Sequence, residues 1–413
     1  MIPRSLIQSF RDRVERELTH DILPFWTKYS IDNERGGFWG TIENDLVIHK
    51  ESEKGIILNA RILWAFSRLF RACHDPTQLE LAQRALDYLT RHFIDSEYGE
   101  AYWTLDCSGR PLDSKKKIYA QAFALYALVE YYEATGDRVA LGKASDIFNL
   151  IELKSRDAGS DGYFETYERD WSPARDQRLS EVDMDEKKSM NTHLHVLEAY
   201  SSLARTNTEA LSTLRLRELI EIFLKHIIDP ESHHFRLFFT ESWTCRSNRI
   251  SFGHDIEGSW LLCEAADALK DPTLQKKVQG TAVRMAHAVY REARDSDGAI
   301  LYEADPTGIT DYSKQWWPQA EAVVGFLNAY EISGEERFFH AAHEAWEFIE
   351  RRLIDKVHGE WFWQVSREGK PDPGRYKVGQ WKGPYHNSRA CLETMLRLDK
   401  VLSRVHVSVP VSA

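Results

Sequence analysis

The sequence predicts an all-α protein in which six helical hairpins close into an (α/α)6 barrel, with short β-hairpins at one end. Three observations predict it. A pattern of glycine or acidic residues beside alternating aromatics recurs six times. The copies stand about one sixth of the chain apart, the mark of a repeat architecture. Each interval between copies has the pattern of two helices, one apolar on more than one face and one charged on a single face.

In chain order the copies are GGFWGTI (36–42), GEAYWTL (99–105), GYFETY (162–167), HHFRLFF (233–239), DGAILYEA (297–304) and HGEWFWQV (358–365). Aromatic and polar residues alternating beside glycine read as short strands of hairpins, because side chains on a strand alternate between two faces. The apolar helices include ILWAFSRLF (62–70), AFALYALVEYY (122–132), LLCEAADAL (261–269) and AVVGFLNAY (322–330). Helices of that kind must be covered on both sides, so they form an inner ring. The charged helices open on HDPTQLELAQ (74–83), TGDRVALGKA (135–144), TNTEALSTL (206–214), KDPTLQKKV (270–278) and SGEERFFHAA (333–342), which carry cap and proline start signals. They form the outer ring. The missing outer helix comes from the N-terminus, where Leu6, Phe10, Val14, Leu18 and Ile22 recur every four residues and would pair with the last inner helix near 387–404. The alternative is an open solenoid; six units with both ends used favour closure. Residues 1–413 are therefore expected to be one catalytic domain, with 405–413 a loose tail.

Composition excludes several classes of function. The 413 residues are 43% hydrophobic and carry a net charge of −11, with Lys and Arg scattered, which argues against nucleic acid or an anionic membrane surface as partner. No run approaches the ~18 apolar residues of a membrane span. Five widely spaced cysteines without a CxxC read as reduced thiols. MIPRSLIQSF lacks the features of a signal peptide, so a cytoplasmic protein is expected.

If the inner helices share one orientation, their N-termini converge on one cavity. The residues at those starts are Asn59 and Arg61; Tyr119 and Gln121; Asn191, His193 and His195; His254 and Glu257; Trp316, Trp317 and Glu321; and Trp381, Tyr385, His386 and Arg389. They are polar or aromatic where the rest of each helix is apolar. His195-x-x-Glu198 and His254-x-x-Glu257 place an imidazole and a carboxylate on one helix face, an arrangement that suits a general acid/base. A satisfied buried histidine explains one such pair; three histidines at three helix starts point to chemistry. Zinc or iron is the rival, but the ligand count does not match the di-iron bundle pattern, so no metal and no cofactor are expected. The remaining histidines read as structural or solvent-exposed.

Trp316-Trp317-Pro318 and Trp381 suggest flat faces on which a sugar stacks, as concave sites are lined with aromatics and a few polar groups. Core packing is the alternative use. Glycoside hydrolysis needs two opposed carboxylates, which the helix starts do not supply. Proton abstraction beside a carbonyl needs a base near neutrality and donors for an enediolate. Histidines supply the first; Arg61, Asn191 and Tyr119 could supply the second.

LNARILW (58–64), KIYAQAFALYAL (117–128), MNTHLHVLEAY (190–200), SFGHDIEGSWLL (251–262), WWPQAEAVVGFLNAY (316–330) and WKGPYHNSRACLE (381–393) resemble the cellobiose 2-epimerase branch of the N-acylglucosamine 2-epimerase superfamily. The resemblance runs from about residue 10 to 397. It implies an (α/α)6 barrel, a monomer, that exchanges the C2 proton of the reducing-end sugar of cellobiose or lactose. It assigns His386 and His254 as the acid/base pair on opposite faces of C2, His195 to ring opening, and Glu257 to orienting His254. Arg61, Tyr119 and Asn191 would hold the enediolate, with Glu321 also among the substrate-binding groups. Trp317 would stack on the reacting sugar, while Trp381, Ser180 and Asp183 would hold the second. One departure is KVGQWKGPYHN, where an acidic or aromatic residue is expected at Gly379 or Gln380; another is the highly charged 180–188 loop. Both fall by the second-sugar subsite, which leaves mannose 2-epimerases and aldose–ketose isomerases as alternatives on the same fold. A glycoside hydrolase and a non-catalytic carbohydrate-binding toroid are the alternatives of a different class.

Overall fold

The computed structural model describes residues 2–206 and 210–407. Its helices are α1 (Arg4–Glu17), α2 (Leu23–Tyr29), α3 (Ile56–Cys73), α4 (Pro76–Tyr88), α5 (Ile118–Thr135), α6 (Arg138–Lys154), α7 (Met190–Arg205), α8 (Ala210–Ile222), α9 (Phe252–Leu269), α10 (Pro272–Glu292), α11 (Trp316–Ser333), α12 (Glu336–Phe348) and α13 (Tyr385–Val407). The odd-numbered helices from α3 to α13 form the inner ring, each packed on the next, and α13 returns to α3. α4, α6, α8, α10 and α12 lie outside the inner helices they follow, and α1 covers α13. The barrel is closed, as the six-fold repeat predicts. α13 continues through Val407, into the segment expected to be a tail; residues 408–413 lie outside the described residues.

The division into rings follows from the side chains. α5 is buried along almost its whole length, from Ile118 to Tyr131, whereas α6 buries only one stripe: Ala140, Leu141, Ala144, Ile147, Phe148 and Ile151. Three outer helices begin at capping aspartates. Asp75 accepts from the Thr77 amide, Asp137 from Val139 and Ala140, and Asp271 from Thr273 and Leu274.

Six short antiparallel strand pairs join neighbouring repeats at one end of the barrel. Lys54–Gly55 pairs with Thr104–Leu105, Lys116–Lys117 with Thr166–Tyr167, and Lys188–Ser189 with Phe238–Phe239. Ile250–Ser251 pairs with Glu303–Ala304 and Lys314–Gln315 with Gln364–Val365; Ile42 opposite Val378 closes the circle. In five pairs the hairpin residue just before the strand offers its carbonyl to the first amide of the inner helix: Trp103 to Ile56, Glu165 to Ile118, Leu237 to Met190, Tyr302 to Phe252 and Trp363 to Trp316. Each helix start is thereby satisfied by the next repeat. The strands also carry buried lysines. Lys54 reaches Asp32 at 2.6 Å, Lys116 Asp95 at 3.1 Å, Lys188 Asp157 at 2.8 Å, Lys314 Asp295 at 3.0 Å and Lys377 Asp355 at 2.7 Å. Each aspartate lies in the turn that enters the hairpin.

No helix among the described residues is long and apolar enough to cross a membrane.

Candidate active site

The inner helix starts surround a cavity of about 920 Å³, walled also by the hairpin ends and the loop 176–183. Its depth is set by one register. Arg61, Phe123, His195, Glu257 and Glu321 are each the sixth residue of their helices, and Arg389 stands at the same level of α13. The fourth residue does a different job: Gln121 clamps both backbone groups of Ala101, Gln319 those of Ile300, His193 accepts from the Tyr163 amide, and Asp255 from Phe235. Gln121 and His193, which the sequence places among the cavity residues, therefore fasten hairpins to helices instead.

His195, His254 and His386 all line the cavity. Nδ1 of His195 lies 2.9 Å from Glu198 Oε2, as the three-residue spacing predicts. The second predicted pair does not form. Nδ1 of His254 meets Ser251 Oγ at 2.7 Å, while Glu257 turns away to accept from Arg389 Nη2 at 2.7 Å. Ser251 is the residue before the helix, within reach of a side chain in the first turn, so it outcompetes the carboxylate one turn on. Glu321, expected on the cavity wall, sits behind it: one oxygen accepts from Nδ1 of His386 at 2.7 Å and from Arg389 at 2.7 Å, the other from Trp260 at 3.0 Å.

Arg389 is the hub beneath the cavity. Its other nitrogen donates to Glu198 and to the hydroxyl of Tyr385, which itself donates to Glu198. His195 and His386 are thus tied to one guanidinium, each through its own glutamate. Glu257, Glu321 and His386 bring ligand atoms within 4.8 Å of one another, a spacing that could hold a metal ion. Arg389 Nη2 already bonds both glutamates there, so a guanidinium stands where a cation would sit.

Burial sets the charge states. Stripped of water, His254 and His386 fall to about 3, and for His386 the bond to Glu321 offsets only part of that fall. His195 falls too, again through burial against the pull of Glu198. All three imidazoles are neutral near pH 7. Burial would raise Glu321 and Glu198, but Arg389 and their histidines outweigh it and hold both down. Glu257 rises, through burial and then the charge of Glu321.

Trp317 touches two of the three cavity histidines: its ring centroid is 4.7 Å from that of His254 and 5.7 Å from that of His386. Arg61 donates to Tyr119 Oη at 3.1 Å and to the carbonyl of Trp381 at 2.8 Å. Asn191 lines the cavity with its Oδ1 buried and unpartnered among the described residues. Trp381 meets Trp103 and Tyr119, with ring centroids 5.8 and 6.0 Å apart. Ser180 and Asp183 bond each other at 2.8 Å on the cavity wall.

The wall also holds residues that the helix-start reading missed, among them Trp103, Lys117, Ser251, Tyr302 and Trp363. Trp103, Tyr302 and Trp363 occupy the hairpin position whose carbonyl caps the neighbouring helix, so the repeat that revealed the fold also contained them. Lys117 lies 4.4 Å from the centroid of Trp103 and holds the loop by donating to the carbonyls of Arg178 and Leu179.

Residues 37–390 match the family model described as N-acylglucosamine 2-epimerase (GlcNAc 2-epimerase). The chain is 43% identical to cellobiose 2-epimerase of Bacteroides fragilis, over 93% of its own length and 98% of that protein's. The structure of cellobiose 2-epimerase from Bacillus thermoamylovorans is similar at 37% identity and a TM-score of 0.91, covering 94% of this chain and all of that one. A D-mannose isomerase shares the fold at 20% identity and a TM-score of 0.83, with 94% and 98% of the two chains covered.

Proposed function

The chain belongs to the N-acylglucosamine 2-epimerase family, and we propose that it is a disaccharide 2-epimerase, an isomerase that interconverts glucose and mannose at the reducing end of β-1,4-linked sugars such as cellobiose and lactose. The observation that carries this reading is the pair of buried neutral imidazoles, His254 and His386, that share contact with Trp317 at the cavity wall.

With the sugar ring open, the aldehyde acidifies the C2 hydrogen. One histidine takes that proton, the C2–H electrons move into the C1–C2 bond, and O1 becomes the enediolate oxygen. The other histidine, neutral in the free protein, takes up a proton from solvent as the enediolate charge develops beside it and returns it to C2 from the opposite face. The aldehyde re-forms, the centre is inverted, and the first histidine releases its proton to solvent. Proton transfer by positioned groups of this kind contributes roughly 10²–10⁴-fold. Arg61 and Tyr119 donate to the sugar oxygens, and Asn191 offers its free Oδ1 to a sugar hydroxyl. Burial raises the Tyr119 phenol further above neutrality, so it stays a donor. His195, backed by Glu198, serves ring opening and proton movement between O1 and O2. Trp317 stacks on the reacting sugar; Trp381, Ser180 and Asp183 hold the second. Glu321 orients His386, and Glu257 anchors Arg389 from the cavity side. The chain is read as a cytoplasmic monomer.

Proton NMR of cellobiose incubated with the protein tests the activity. A mannose-type reducing end supports the reading; a fructose-type product would make it an aldose–ketose isomerase, and free glucose a hydrolase.

A further inference from the structure

Gln380 and Trp381 occupy the two central positions of a tight turn at the cavity mouth. The turn is closed at both ends: the Lys382 amide donates to the Gly379 carbonyl and the Gly379 amide to the Lys382 carbonyl, each at 3.1 Å. It is anchored from below, where Lys382 Nζ meets the buried Glu360 at 2.9 Å, and from the side, where Arg61 holds the Trp381 carbonyl. Both central side chains line the cavity. Trp381 has its aromatic neighbours. Gln380 has none of the partners its amide demands: Nε2 is buried and carries no hydrogen bond among the described residues. A buried amide donor without a partner is unfavourable in the free protein and is satisfied when a ligand supplies an acceptor.

The two glycines nearby are there to permit this placement. A Cβ on Gly55 would lie 2.7 Å from Gln380 Cγ, so the side chain rests flat on the bare backbone of residue 55. A Cβ on Gly379 would lie 1.8 Å from the ring of Tyr376, which packs edge-on against Trp363 with centroids 5.0 Å apart. The acidic or aromatic side chain expected at Gly379 or Gln380 therefore has no room at Gly379, where Tyr376 fills its volume, and position 380 carries an amide instead.

We propose that Gln380 is a specificity-determining residue that donates from Nε2 to a hydroxyl oxygen of the second, non-reacting sugar while Trp381 beside it offers that sugar a flat face. The proposal rests on the disaccharide 2-epimerase reading. Gln380 gives this chain a second-sugar contact of its own, made by a fixed turn rather than by the charged 180–188 loop.

The test compares kcat/KM for cellobiose and for mannose in the protein, in Gln380→Leu and in Gly55→Ala. Where mannose is bound without turnover, its inhibition constant against cellobiose replaces its kcat/KM. Gln380→Leu should lower the cellobiose-to-mannose ratio about fivefold, the worth of one hydrogen bond. Gly55→Ala, whose backbone at φ −86° accepts alanine, should lower it in the same direction by displacing Gln380. An unchanged ratio in Gln380→Leu, or equal losses on both sugars, overturns the proposal and leaves the epimerase reading standing. A wild-type protein that converts neither sugar overturns that reading first.

Discussion

Glu321 Oε1 stands 2.7 Å from Nδ1 of His386, and the same oxygen is 2.7 Å from Arg389 Nη2. The carboxylate fixes which ring nitrogen of His386 carries the hydrogen, leaves Nε2 as an acceptor, and would stabilise an imidazolium formed there. Glu321→Gln keeps the shape and removes the charge. Steady-state kinetics on cellobiose should show kcat lower by roughly a hundredfold with little change in KM. A loss confined to KM would instead make Glu321 a substrate-binding group.

Arg389 reaches Glu198, Glu257 and Glu321 at once, so its removal strands three buried carboxyl groups. Arg389→Met should destabilise the protein by about 3 kcal/mol or more, the penalty for breaking a buried ion pair from one side. Urea unfolding followed by tryptophan fluorescence measures it. Restoring the charge without the geometry, as in Arg389→Lys, should recover only part of the loss, because one ammonium cannot present the planar guanidinium's separate donors to carboxylates on two sides.

The buried histidines set the response to acid. His254 and His386 hold folded-state values of about 3 against an ordinary 6.5, so between these limits the unfolded chain binds protons that the folded chain refuses. Stability is full above pH 6.5 and falls as the pH drops towards 3, by roughly 1.4 kcal/mol per pH unit for each such histidine. Thermal melts from pH 7 to 4 should show this fall, and His386→Asn should make it shallower. The activity of the protein that remains folded should show no acid limb centred near 6.5; such a limb would mean that the bases are ordinary solvated imidazoles.

Much of this architecture was legible in the sequence because it depends on periodicity. Six aromatic copies at even spacing require six units, and helices apolar all round, such as 122–132, require an outer layer. The cavity level was legible for the same reason, since a helix start recurs at a fixed distance from each copy. Pairings between side chains were less so. His195 and Glu198 meet as their spacing suggests, but His254 prefers Ser251, and Glu321 serves His386 from a different helix. Spacing along one helix says which groups can meet; it is silent about competitors arriving from elsewhere. The buried lysines were invisible for a related reason, because a lysine next to a strand reads as solvated until the aspartate of the preceding turn is placed beneath it.

Those lysines act as spokes between the ring of turns and the ring of strands. Lys54 and Asp32 are both fully buried, and the Asp32 carboxylate also accepts from the Glu34 and Arg35 amides. Lys54→Met leaves that carboxylate without its cation and should cost about 3 kcal/mol in urea unfolding. Where the protein stays folded, kcat should hold near wild type, since Lys54 lies outside the cavity wall.

The central claim is that two histidines work on opposite faces of one carbon, and isotope exchange at C2 in D2O tests it most directly. Each purified epimer of the disaccharide is incubated with His254→Asn and with His386→Asn, and C2 deuterium is read by NMR. Neither variant should interconvert the epimers, yet each should exchange the C2 hydrogen of one epimer only, and the two variants should exchange different ones. A variant that still inverts C2, or one that exchanges both epimers alike, would contradict the two-base account.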